Sequence, residues 1–207
     1  MPKATFYNLK DEKKEMIEKA AVTEFSKYGY FHANISRIAK QSKISVGSFY
    51  QYFDDINDLF MHIFKKIADR KIQYIKEELE KATTDSFEEN LKAIYTGGIR
   101  FALHEPNCFN VANTFRSVMK TPVFEKLMKY YTISENNSWL LKIYESAVKK
   151  GEISKEIPYE LFVSLFTNLH TGVMEYMGVL DCKENFTEEN MKKLAEMSVH
   201  ILLNGIK

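Results

Sequence analysis

Between Asn34 and Phe53 the sequence reads NISRIAKQSKISVGSFYQYF, and this run leaves the chain few folds to choose from. Ile35, Ile38 and Ala39 recur at one-turn spacing behind Asn34, whose short amide side chain can cap a helix. The spacing predicts a short helix reaching about Gln41. A second helix is expected to start at Ser45, which can cap it, with Gly47 and Ser48 keeping its first turn slim. Phe49 and Phe53, four apart, share one face, while Tyr50 and Tyr52 point elsewhere. Two short helices joined by a tight turn form a helix-turn-helix, whose second helix lies in the major groove and offers its N-terminal residues to base edges. An ordinary helical hairpin fits the same pattern, and periodicity alone does not choose between them.

The rest of the chain repeats the helical period, and no alternating strand pattern occurs, so the expected fold is all-α with about nine helices. A helix over about Lys10–Tyr28 carries Ile17, Ala20, Ala21, Phe25 and Tyr28 on one side, with Gly29 as its C-cap. Asp54 or Asp55 can cap a long fourth helix to about Lys81, whose apolar positions run from Leu59 and Phe60 to Leu79. Further helices are expected over Ser86–His104, Asn107–Met119, Pro122–Lys150, Pro158–Met177 and Thr187–Leu203, with Pro106, Pro122, Gly151 and Pro158 as punctuation. The last two carry broad apolar stripes, with Leu165, Leu169 and Val173 on one and Leu194, Ile201 and Leu202 on the other. Such stripes can bury core within one chain or pair with a second copy.

At 207 residues, a helix-turn-helix domain over 1–54 leaves 55–207 for a larger helical domain. Apolar residues make up 45% of the chain and charged residues 28%, a balance that supports packed cores. The net charge is only +1, but residues 1–53 hold nine Lys or Arg against five acids, so the basic excess sits with the helix-turn-helix. Cys108 and Cys182 are too few for a disulfide framework and lack metal-binding spacing. No signal-peptide core and no run of about 18 apolar residues occurs, so a cytoplasmic location and no membrane partner are expected.

Taken together, YGYFHANISRIAKQSKISVGSFYQYFDDINDLF, Tyr28 to Phe60, resembles the DNA-binding signature of the TetR family of bacterial transcriptional regulators. The family usually places Gly-Tyr or Gly-Phe, a capping Thr, Ile-Ala, a turn, Ser-x-Gly-x-hydrophobic-Tyr-x-aromatic-Phe and an acidic residue before Leu in that order. The resemblance implies contacts to double-stranded DNA from Asn34, Ser36, Arg37, Lys43, Ser45, Val46, Gly47, Ser48, Tyr50 and Tyr52. Hydroxyl and amide groups among them suit phosphate oxygens, whereas Val46, Gly47 and Ser36 lie nearest base edges. Phe49 and Phe53 are expected in the small core. Two positions depart from the pattern: Lys43 stands in the turn where the family mostly has Gly, and Ile56 where it commonly has Lys.

The same resemblance implies a homodimer on a palindromic operator, seamed by the last two helices at Leu165, Leu169, Val173, Leu194, Ile201 and Leu202. It implies a helical domain enclosing a small-molecule effector, expected to be largely apolar. Candidate lining residues are Phe101, His104, Phe109, Asn113, Arg116, Met119, Trp139, Tyr144, Asn168 and His170. The expected function is a transcriptional regulator, a repressor released by that effector. The alternative is a ligand-binding or dimeric helical protein with weakened DNA binding, motivated by Ile56. An enzyme finds no support in the sequence: it has no HExxH, no Gly-rich phosphate loop and no G-x-S-x-G, and its five histidines are scattered. No cofactor or metal is implied.

Overall fold

A computed structural model describes residues 1–118, 121, 123–125, 138–179 and 187–205, and among them every regular element is an α-helix. In chain order these are α1 (Ala4–Tyr7), α2 (Asp11–His32), α3 (Ile35–Gln41), α4 (Val46–Tyr52), α5 (Ile56–Leu79) and α6 (Phe87–His104). After them come α7 (Pro106–Asn113), α8 (Phe115–Val118), α9 (Ser138–Lys150), α10 (Tyr159–Val179) and α11 (Glu188–Asn204). These eleven helices agree with the expected count of about nine, with two local additions. The N-terminal residues add a single turn, α1. The helix expected over Asn107–Met119 breaks at Thr114, whose hydroxyl donates back to the Val111 carbonyl at 2.7 Å.

The remaining boundaries follow their caps. Asp55 begins α5, accepting from the Asp58 amide at 2.8 Å, and Thr187 begins α11, accepting from the Asn190 amide at 3.2 Å. Gly29 takes φ 70° and ψ 175°, conformations open to glycine, and the chain then continues helical to His32 instead of ending at Tyr28. The part of Pro122–Lys150 over residues 126–137 lies outside the described residues, as does Cys182.

The chain forms two compact units. The first comprises the described residues of Met1–Arg70 and Glu105–Ile133, and the second those of Lys71–His104 and Ser134–Lys207. Aromatic residues fill the core of the first. Phe6, Phe25, Phe49, Phe53 and Phe60 are all fully buried, with ring centroids 5.0 Å apart for Phe6–Phe53 and Phe25–Phe60. In this core Phe49 and Phe53 turn inward from α4, as their four-residue spacing predicts.

Helix α6 is the axis of the second unit and packs against α9, α10 and α11. Its side chains are buried almost continuously from Leu91 to Phe101. At Gly97 the backbone of α5 comes so close that an added Cβ would lie 2.7 Å from the Ile75 Cα. Gly97 is thus needed for the approach of α5 to α6.

Candidate nucleic-acid interface and the second helical unit

The α3–turn–α4 segment is built by its own polar side chains. Asn34 Oδ1 accepts from the amides of Ser36 at 2.8 Å and Arg37 at 3.3 Å, meeting the unsatisfied first turn of α3. Ser45 Oγ does the same for α4, accepting from the Ser48 amide at 2.9 Å. Between the helices, the Ile44 amide reaches the Ala39 carbonyl at 3.0 Å and the Lys43 amide reaches that of Lys40 at 3.3 Å. This pairing is the Schellman arrangement, which requires a left-handed residue, and Lys43 supplies it at φ 54°. A non-glycine residue there costs roughly 1–2 kcal/mol. The buried Ser42 hydroxyl donates to the Ile38 carbonyl at 2.7 Å and closes the turn.

With Phe49 and Phe53 inward, α4 turns other residues outward. Val46 is 41% exposed and Tyr50 49%, and Ser45 and Gly47 are exposed beside them. Tyr52 is half-buried and packs edge-on to Phe6. The N-terminal residues brace the end of α4: Lys3 donates to the Tyr50 carbonyl and pairs with Asp54 at 2.7 Å, and Thr5 donates to the Gln51 carbonyl.

Arg37, though partly exposed, is committed to partners within its own chain. Its guanidinium donates to Glu24 Oε1 through Nε at 2.8 Å and to the His32 carbonyl through Nη2 at 2.7 Å, and it stacks 4.2 Å above the Tyr28 ring. Glu24 is fully buried and also accepts from the Asn34 amide at 2.8 Å. One carboxylate thereby fixes both the start of α3 and the only arginine of the motif. The sequence reading missed Glu24, although it shares the buried stripe of Ile17, Ala20, Ala21 and Phe25 on α2. Ile56, where the family commonly has Lys, is half-buried at the start of α5.

The candidate effector residues that are described divide between the two units. Phe109 and Asn113 belong to the first unit, half-buried and exposed respectively. Met119 and the Arg116 side chain lie outside the described residues. In the second unit, Phe101 is fully buried against Tyr74, and the exposed His104 meets the same ring at 5.9 Å. Tyr144 joins a separate cluster, stacked 5.6 Å from Phe162 with its hydroxyl donating to the Ile157 carbonyl. Trp139 is half-buried, and Asn168 is exposed, donating to the Ser164 carbonyl at 2.8 Å. His170 faces Tyr95 at 5.4 Å. A partly open cavity of about 210 Å³ lies among Phe87, Ile157, Phe162, Leu165 and Leu202. It is smaller than the about 300–1,000 Å³ of typical small-molecule sites.

Of the expected seam residues, Leu165 and Ile201 are exposed, Leu169, Leu194 and Leu202 are half-buried, and Val173 is buried within its own chain. Leu161, Tyr176 and Met197 extend the exposed apolar surface of α10 and α11. No described helix is long and apolar enough to cross a membrane.

A helix-turn-helix that presents small and apolar residues from a capped second helix, followed by a largely helical unit, defines a DNA-binding regulator. Comparison with known proteins gives its family. The profile of bacterial regulatory proteins of the tetR family matches residues 17–63. The fatty acid metabolism regulator protein of Bacillus subtilis (strain 168) is 35% identical over 188 residues, covering 90% of this chain and 92% of that one. A shorter match, 36% identical over 75 residues, joins 36% of this chain to 33% of the HTH-type transcriptional regulator HbdR of Aromatoleum sp. (strain CIB). Among solved structures, the transcriptional regulator FadR from Bacillus subtilis in complex with stearoyl-CoA superposes with TM-score 0.70 at 20% identity, over 93% of this chain and 99% of that one. The fatty acid degradation regulator FadR from Bacillus halodurans gives 0.71 at 21%, over the same shares. The chain belongs to the TetR family of bacterial transcriptional regulators.

Proposed function

We propose that this regulator is a repressor that binds a palindromic operator as a homodimer and releases it when a long-chain acyl compound occupies its second domain. The observation that carries the DNA half is the pairing of Val46 and Tyr50, exposed on the same short helix whose Phe49 and Phe53 anchor the core. Residues 1–54 act as the DNA-binding domain and 55–207 as the effector-binding and dimerisation domain. Ser45, Ser48, Tyr50 and Tyr52 take phosphate oxygens, and Val46, Gly47 and Ser36 approach the bases. Lys43 adds charge beside the backbone, while Asn34 and Arg37 act by holding α3 in place.

The effector class is suggested by the relatives, one named for fatty acid metabolism and one solved with stearoyl-CoA. The apolar side chains exposed on α10 and α11 support the homodimer, since such residues on a terminal helix pair suit a second copy. A repressor of this kind works in the cytoplasm and needs no enzymatic activity. Selection from random duplex DNA tests the reading: it should enrich a palindrome, with half-sites about one helical turn of 34–36 Å apart or a multiple of it. A folded protein that enriches no palindrome would favour the alternative, a dimeric ligand-binding protein with weakened DNA binding, to which Ile56 points.

A further inference from the structure

Helix α4 carries no Lys or Arg, so the charge that holds DNA phosphates has to come from the residues around it. Several nearby cations already have an acid: Arg37 has Glu24, Lys3 has Asp54 at 2.7 Å, and Lys14 has Asp11 at 3.1 Å. Lys13 on α2 and Lys43 in the turn between α3 and α4 form no ion pair with a carboxylate among the described residues. The residues three and four positions from Lys13, where a helical partner would sit, are Leu9, Lys10, Met16 and Ile17, none of them acidic.

The fold brings these two lysines together although 30 positions separate them in sequence. Lys13 Nζ lies 3.5 Å from the Lys43 carbonyl oxygen, at the long end of hydrogen-bonding reach. That oxygen belongs to the left-handed residue of the turn. Lys13 is half-buried and Lys43 exposed, so the Lys13 side chain lies along the protein while its ammonium reaches the turn. The turn leads directly into Ser45, Val46 and Gly47, the start of the helix assigned above to the major groove. Cations at this point stand at the edge of that groove, where the phosphate row borders it.

We propose that Lys13 and Lys43 together form a phosphate-binding point at the turn, so that α2, and not only the helix-turn-helix, grips the DNA backbone. The inference rests on the DNA-binding reading above and adds to it a contact from α2. Lys13 has a second task there, since its ammonium also donates toward the carbonyl of the left-handed residue. The two tasks differ in what they require: the phosphate needs a positive charge, whereas the carbonyl needs only a donor.

Affinity for the palindrome recovered by selection can be followed against salt for the full-length protein as wild type, Lys13→Met, Lys13→Gln and Lys13→Arg. Each phosphate contact contributes about 0.9 to the slope of log affinity on log salt, and a dimer lacking Lys13 loses two such contacts. Raising salt from about 50 to about 200 mM should therefore cost wild type about tenfold more affinity than it costs Lys13→Met. Lys13→Gln, neutral but still a donor, should follow Lys13→Met, and Lys13→Arg should follow wild type. A salt dependence in Lys13→Met equal to that of wild type, whatever its affinity, would overturn the phosphate point, as would recovery by Lys13→Gln. Either result leaves Lys13 a brace for the turn and the DNA reading standing. Selection that recovers no palindrome would remove that reading and this inference with it.

Discussion

At the scale of single residues, the site divides into groups that read and groups that hold. Tyr50 projects a hydroxyl from a rigid helix, so Tyr50→Ala should weaken binding to every duplex by a similar factor. Val46 offers only a branched apolar tip at the helix start, so Val46→Ala should change preference at one base step instead. Binding measured across a panel of single-step operator variants separates the two outcomes. A second residue-scale prediction concerns Glu18. Burial alone would raise its pKa, but hydrogen bonds from His62, at 2.8 Å, and Lys66 outweigh that and hold it below the ordinary 4.5. A depressed carboxyl adds stability above its unfolded range, and that stability is lost as pH falls through the folded value. Glu18→Gln should therefore cost about 1–3 kcal/mol at pH 7. The gap between the two proteins, followed by denaturant unfolding, should narrow below pH 4.5.

Individual elements show how much was legible beforehand. Asn34, Ser45 and Thr187 were readable as caps because a short polar side chain ahead of an apolar period has one common use, and each caps in the structure. The inward turn of Phe49 and Phe53 followed from their spacing. The commitment of Arg37 to Glu24 did not, because the two lie thirteen residues apart and only the crossing of α2 and α3 brings them together. Glu24 nonetheless sat in a buried stripe, and an acid in such a stripe calls for a cation. The effector residues were the least legible, since an aromatic in a helix reads alike whether it packs core or lines a cavity. At Gly97 the element-scale consequence is direct: Gly97→Ala forces α5 away from α6 and should cost about 1–3 kcal/mol in thermal unfolding. At Gly172, by contrast, an added Cβ meets nothing within 4 Å of the chain itself. The outer faces of α10 and α11 carry the dimer proposal, so Ile201→Glu should give monomers in sedimentation. An unchanged dimer would move the seam elsewhere.

For the whole molecule, affinity for DNA should fall steeply with salt as phosphate contacts release counterions. Regulation requires more, namely that the DNA-binding domain and the effector domain share one equilibrium. An effector shifts it only through unequal affinity for the two states, and a hundredfold release corresponds to about 2.7 kcal/mol, within the usual range of allosteric coupling. Reciprocity then obliges the operator to weaken the effector by the same factor. The most direct test is calorimetric titration of the protein with oleoyl-CoA, alone and saturated with the palindrome recovered by selection. The account predicts weaker ligand binding on the operator by the same factor that the ligand weakens DNA. Equal affinities in the two titrations would contradict it.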